Sequence, residues 1–333
     1  MKRRFSFSII LLLALMLVFV ACGDKKEKAG VETSVDVKSL IANDSMGFVV
    51  FNFSAAEKKG LFDELLTDPE VVKGIEDLKK KAGLDIRKDL DAGIFVLFGD
   101  SQGDMQTETE MYGVVTGSFD KAKIIAAIEK SEDAEVIQET VDGRTLYYGK
   151  TKEGEHQNFY MTFIGSEMIV LGPRKDLVLK GCNVIDGKVA NITENEKMLK
   201  LYDKVDRSHM FWALFNIPES EEMGQQAMIP GVDKIRSVYI GGSYEDKSLT
   251  MCANLFTPDE ASTKKIAESL EKTIGMLGAF VGESPELMEL IDSIKISQET
   301  DSVEVRLMIT KEQMDSLKDM QSGMMGGPSG GTE

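Results

Sequence analysis

Ser262 and Lys265 have the Ser-x-x-Lys spacing in which a lysine one helical turn on can activate a serine nucleophile. The companion Ser-Asp-Asn and Lys-Thr-Gly motifs are absent. The pair also falls inside a stretch with amphipathic helical spacing, so a solvated helix face is the plainer reading. His156 and His209 are the chain's two histidines and lack metal-ligand spacing. His156 sits in a polar loop, and His209 opens an apolar run. A general base needs a nucleophile within hydrogen-bond reach, and neither has a neighbour in sequence that supplies one. Residues 100–110 gather four acids. Calcium takes several carboxylate oxygens, but the spacing is not that of a calcium-binding loop, and a solvated hairpin loop is expected. Phosphate-cradling glycine loops and strained nucleophile elbows have no match. No catalytic residue, metal site or cofactor is assigned, and a non-enzymatic protein is favoured.

Methionine is the least ordinary residue count. Of 19 in the chain, 14 lie beyond residue 160. Methionine fills irregular cores and also lines adaptable apolar grooves. Met223, Met228 and Ile229 lie in a polar-then-apolar connection, ESEEMGQQAMIPG, and form a candidate lid over an apolar ligand. Core filling is the plainer reading.

The 333 residues carry 39 basic and 56 acidic side chains, a formal charge of −17. That balance excludes a nonspecific nucleic-acid binder, which phosphate would repel. Three cysteines exclude a disulfide-dense scaffold and a four-cysteine zinc site. The length suffices for one large or two medium domains.

The chain begins Met1-Lys2-Arg3-Arg4, and residues 5–21 are almost wholly apolar. This is the layout of a secretory signal; at 17 residues it is at the short limit for a membrane span. The run ends in Phe19-Val20-Ala21-Cys22, which resembles the lipobox of bacterial lipoproteins. The resemblance implies cleavage before Cys22, acylation of Cys22, and a membrane partner through that lipid. Removing the first 21 of 333 residues leaves 312 and discards three positive charges, taking −17 to −20. Each buried acyl methylene adds about 0.8 kcal/mol of membrane affinity. Gly23, where an aspartate would imply inner-membrane retention, implies the outer membrane in a two-membrane bacterium. In an oxidising envelope compartment, Cys182 and Cys252 are either disulfide-bonded or two independent buried side chains.

Residues 22–36 read as a flexible tether and 321–333 as a disordered Gly-rich tail. Between them, short apolar runs alternate with helical periodicity. Strands are expected at 47–53, 93–98, 111–119, 134–140, 144–149, 157–164 and 167–172. Asp142-Gly143 is a hairpin signal. Helices are expected after Asp68-Pro69 and Asp120. Further strands are expected at 209–217, 235–245, 248–256, 293–299 and 302–309. Thr257-Pro258-Asp259-Glu260 reads as a capping box, with Ile266, Leu270, Ile274 and Leu277 on one helix face. Ser284-Pro285 opens a second short helix.

Three short matches link the halves. Phe51-Asn52-Phe53 parallels Phe215-Asn216-Ile217, Ser118-Phe119-Asp120 parallels Phe256-Thr257-Pro258-Asp259, and Gln138-Glu139-Thr140 parallels Gln298-Glu299-Thr300. The expected fold is α+β: antiparallel sheets with helices on one face, in two related halves, 37–190 and 191–320. The lipobox, the opening Ser39-Leu40-Ile41-Ala42-Asn43-Asp44-Ser45 and the segment Gly83-Leu84-Asp85-Ile86-Arg87-Lys88-Asp89-Leu90 resemble uncharacterised bacterial envelope lipoproteins. The resemblance implies a domain of unknown function and no activity. The expected function is a lipid-anchored envelope protein with a binding or scaffolding role. The alternatives are a carrier of lipid or another apolar ligand, and an envelope hydrolase.

Overall fold

The structure is a computed structural model and describes residues 36–66, 69–99, 110–130, 134–151, 159–217, 231–281 and 284–317. The signal segment, Cys22, almost all of the tether, His156, the candidate lid (Met223, Met228, Ile229) and the tail lie outside the described residues. The chain forms two compact units, one of residues 28–218 with 237–239, the other of 219–236 with 240–333, apart from residues 1–27.

The first unit is built on antiparallel strands in the order β8-β1-β2-β3-β7-β6-β5-β4. They are β1 (Gly47–Asn52), β2 (Leu90–Phe98), β3 (Glu110–Gly117), β4 (Ala134–Val141), β5 (Arg144–Thr151), β6 (Phe159–Ile164), β7 (Met168–Gly172) and β8 (Phe211–Asn216). β1 is central, with Phe48 opposite both Val96 and Leu214. Nearly every β1 residue is buried, which is why GFVVFN reads as a continuous apolar run rather than an alternation. Asp142 and Gly143 turn β4 into β5 with φ of 50° and 77°, the positive pair that a tight two-residue hairpin requires.

Helices α1 (Phe53–Lys58), α2 (Leu61–Leu65), α3 (Pro69–Ala82), α4 (Lys121–Glu129), α5 (Lys175–Ile185) and α6 (Glu196–Lys204) cover this sheet. Adjacent strand residues point to opposite faces, and Leu146 and Tyr147 are both buried. Tyr147, Met161 and Ile169 pack with Phe119, Ile124 and Ala82, so α3 and α4 cover their face. On Leu146's face, α5 presses Gly181 against Tyr112, where a methyl would sit 2.9 Å from the ring. The α+β class and the antiparallel pairing are as expected, and the covering of this sheet extends to both faces. Asp120 caps α4 as its sequence signal implies, accepting from the Lys123 amide; Asn52, expected inside a strand, instead caps α1 by accepting from the Ala55 amide.

The second unit orders its strands β9-β10-β12-β11: β9 (Ser237–Glu245, of which 237–239 count with the first unit), β10 (Ser248–Phe256), β11 (Lys295–Gln298) and β12 (Ser302–Ile309). Asp246 and Lys247, both at positive φ, turn β9 into β10. Helices α7 (Glu260–Val281) and α8 (Pro285–Asp292) separate the two hairpins. Asp259, not Thr257, caps α7: its carboxylate accepts from the Ser262 amide at 2.8 Å. Thr257 is spent elsewhere, its amide on the Asp301 carbonyl and its hydroxyl on Thr263.

The division into units differs from the expected 190/191 boundary. The run expected to open the second half forms β8, which pairs with β1 from Phe51↔Phe211 to Gly47↔Phe215 and so belongs to the first unit. Both units contain hairpin, helix, hairpin in sequence: β2-β3, α4, β4-β5 in one, and β9-β10, α7-α8, β11-β12 in the other. The first also places the β6-β7 hairpin between β3 and β5, where β10 and β12 pair directly.

Candidate functional site

Helix α7 has 22 residues and is about 33 Å long at 1.5 Å per residue. Its first half is anchored. Ile266 is fully buried and Ala267 nearly so. The Thr263 hydroxyl lies 2.5 Å from that of Thr257 and 3.3 Å from the Thr300 carbonyl, tying the helix to the β11-β12 turn. The second half is different. Residues 274–281, IGMLGAFV, carry no charge. Ile274 is half-buried, but Met276 is 58% and Leu277 48% exposed. Helix α8 packs on α7, with Met288 about 4.0 Å from where a methyl on Gly278 would lie. Ser284 caps α8 through the Leu287 amide. Leu287, Met288, Leu290 and Ile291 are half-buried. An uncharged helical turn with two large apolar side chains in water is the observation a partner surface would explain.

Met308, on β12, is the other large exposed apolar side chain among the described residues. It shares a strand face with Glu304 and Arg306, which pair at 2.6 Å. These two residues, with Lys295, Ile296 and Ser297, line an open polar cleft of about 500 Å³. A second cleft, about 420 Å³, lies in the first unit beside Val72, Ile75, Lys79, Asp85 and Arg87. Four of the six charged residues that line it are in ion pairs. Arg87 binds Glu57 at 2.7 Å and Asp63 at 2.6 Å, and those carboxylates hold its guanidinium further toward the charged form. Lys79 binds Asp85 at 2.8 Å and lowers the Asp85 pKa; Lys79's own is raised.

That second cleft explains the segment 83–90. Gly83 ends α3 with φ of 66°. The Asp85 amide donates to Asp89, and Asp85 in turn accepts from the Arg87 amide. Leu84 and Ile86 pack on the core under α4. The motif is a self-bonded turn clamped by Arg87, a structural device.

The other sequence candidates fall as follows. Neither Cys182 nor Cys252 is in a disulfide; each is buried, and they belong to different units. Burial pushes the Cys182 thiol up to about 11, despite the opposing pull of Arg144. Cys252 Sγ lies 3.5 Å from the Gly241 carbonyl on the neighbouring strand. His209 Nδ1 lies 2.7 Å from the Tyr239 hydroxyl and 3.1 Å from the Asp206 carbonyl. Nearby Ser208 Oγ donates to the Asp206 carboxylate, closing a local turn rather than facing the imidazole. Ser262 gives its amide to the α7 cap, while Lys265 stays in solvent. Of the described methionines, Met161, Met198, Met210 and Met314 are core, Met276 and Met308 are exposed, and the others are half-buried. Neither cleft is lined by methionine. Among the described residues, no group of three or more His, Cys, Asp or Glu is placed to hold a metal, and no helix is long and apolar enough to cross a membrane. The uncovered turn at 276–277 was missed by sequence reasoning; its one signal was the charge-free run at 274–281.

No family model and no curated protein matches the chain. It is similar to solved structures of TP0453. Crystal form III is 11% identical with a TM-score of 0.49, over 86% of this chain and 98% of that one. Crystal form I is 11% identical with a TM-score of 0.45, over 85% and 96%.

Proposed function

We propose that this chain is a lipoprotein of the bacterial cell envelope, held to a membrane by acyl chains on Cys22, whose folded body binds an envelope partner without catalysing a reaction. The apolar run ending at Ala21-Cys22 supports the anchor. The observation that carries the binding role is the exposed Met276-Leu277 turn. Fully burying a large apolar side chain stabilises a complex by about 1.5–3 kcal/mol, so covering two that are half exposed contributes about 2 kcal/mol. That is roughly thirtyfold in affinity.

Two experiments test the parts separately. A Cys22→Ser chain loses acylation and membrane fractionation; retention of both defeats the anchor. A photoreactive residue at position 276 in live cells should crosslink one reproducible envelope component, and Leu277→Ser should weaken that capture roughly fivefold. A crosslink pattern indifferent to Leu277→Ser defeats the binding role of this turn.

A further inference from the structure

Among the described residues, the large exposed apolar side chains are Met276, Leu277 and Met308. A methionine differs from a leucine in its chemistry. Peroxides oxidise its thioether sulfur, and oxidation turns an apolar side chain into a polar one. The oxidant must reach the sulfur, so exposure decides which methionines react. Met276 is the most open, at 58%, against 43% for Met308 and less than a tenth for Met161, Met198, Met210 and Met314. Gly275 and Gly278 flank the Met276-Leu277 pair, and a methyl on Gly275 would meet nothing within 4 Å. The surface on that side of Met276 is therefore bare. The surroundings of the two exposed methionines also differ. Met308 shares its strand face with the Glu304–Arg306 ion pair, whereas Met276 lies in the charge-free run 274–281.

We propose, resting on the binding role given above to the 276–277 turn, that Met276 is an oxidation site whose sulfoxide weakens the apolar contact made there. In this step a lone pair on Met276 Sδ attacks the terminal hydroxyl oxygen of hydrogen peroxide or an organic hydroperoxide. The S–O bond forms as the O–O bond breaks. The leaving oxygen takes the proton of the attacked hydroxyl and departs as water or an alcohol. Sulfur gives up the two electrons that reduce the peroxide. The new oxygen is a hydrogen-bond acceptor, and burying it in an apolar contact without a donor costs free energy. Leu277 is left unchanged, so oxidation lowers affinity without abolishing it, by roughly fivefold. Enzymatic reduction returns the sulfoxide to methionine, which makes the change reversible. The same oxygen on Met308 would join a face that is already charged and would alter it little.

The test treats the full chain with hydrogen peroxide and locates each added oxygen by peptide mass spectrometry. Met276 should oxidise ahead of Met308, and Met161, Met198, Met210 and Met314 should be spared until urea exposes them. Partner capture is then read in isolated cell envelopes through a photoreactive leucine analogue at position 277. Peroxide should lower capture roughly fivefold, and methionine sulfoxide reductase should restore it. Met276→Leu keeps an apolar side chain without sulfur, so it should capture normally and ignore peroxide. Met276→Gln carries a polar side chain of similar length and should capture weakly with no peroxide added. Position 276 is exposed, so equal melting of both variants confirms intact folds. Three results each overturn the proposal: Met276 oxidised no faster than Met161, capture by Met276→Leu that falls on peroxide as it does in the unsubstituted chain, or undiminished capture by Met276→Gln. No capture before peroxide defeats the binding role of the turn instead. Retention on a hydrophobic column, which needs no partner, then decides the oxidation site. It should fall more on oxidation in the unsubstituted chain than in Met276→Leu, and equal falls overturn the site.

Discussion

Replacing Tyr112 with phenylalanine isolates one hydroxyl at the centre of the first unit. Tyr112 is fully buried beneath α5. Its hydroxyl donates to the Leu40 carbonyl at 2.8 Å and accepts from the Ala42 amide at 3.1 Å. Burial moves its pKa upward, so it is neutral throughout the working range. Phenylalanine keeps the ring and removes both bonds. Leu40 and Ala42 are themselves buried, so water cannot replace the lost partner. A buried polar group left unsatisfied costs about 1–3 kcal/mol. Two such groups give an expected loss of about 2–6 kcal/mol. With a urea slope of about 2–3 kcal/mol/M, the unfolding midpoint should fall by about 1–2 M with the slope unchanged. Urea titration by circular dichroism measures this directly. A fall below about 0.2 M would mean that the segment 37–42 is held by its apolar contacts and that this hydrogen-bond argument is wrong.

Three other outcomes follow from packing and burial. Gly181→Ala drives a methyl to 2.9 Å from the Tyr112 ring and should cost about 1–3 kcal/mol, partly relieved when Tyr112 is replaced by leucine; an unchanged thermal midpoint would show that α5 can retreat. Thr263→Val orphans groups that meet a fully buried hydroxyl and should cost about 1–3 kcal/mol, while Thr263→Ser should not. Hydrogen exchange across the first turn of α7 reports it, and equal protection in both variants refutes the role. Cys182 should resist iodoacetamide at pH 8 in the native state and react in urea. Because its thiol pKa rises from 9.0 to about 11 on folding, its stabilising contribution is complete below pH 9.0 and lost as pH climbs through about 11. Cys182→Ala should remove that alkaline decline, and a decline of the same size in the variant counts against the assignment.

Much of the local structure was legible because local chemistry fixes it. Asp142-Gly143 tolerates the positive φ pair of a hairpin, and Asp120 and Ser284 carry the oxygens that orphan amides need. The capping box at Thr257 failed because two hydroxyl-or-carboxylate residues competed for one helix end. The contact of Thr257 with the distant Asp301 decided it in favour of Asp259. The compact units divide elsewhere than the expected halves for a similar reason. An apolar run states that a strand is buried, not which strand it pairs with, and β8 joined β1.

The candidate site shows the same division. By itself, the sequence determined the basic and apolar start that ends at Cys22, the acidic body, and a helix with one apolar face. Only the tertiary structure decided where that face is used. Ile266 and Leu277 share the same helical spacing, yet one is fully buried and the other half in water. Periodicity records which side of a helix is apolar. Whether that side is covered depends on the elements that fold against it, and Met276 and Leu277 remain about half exposed.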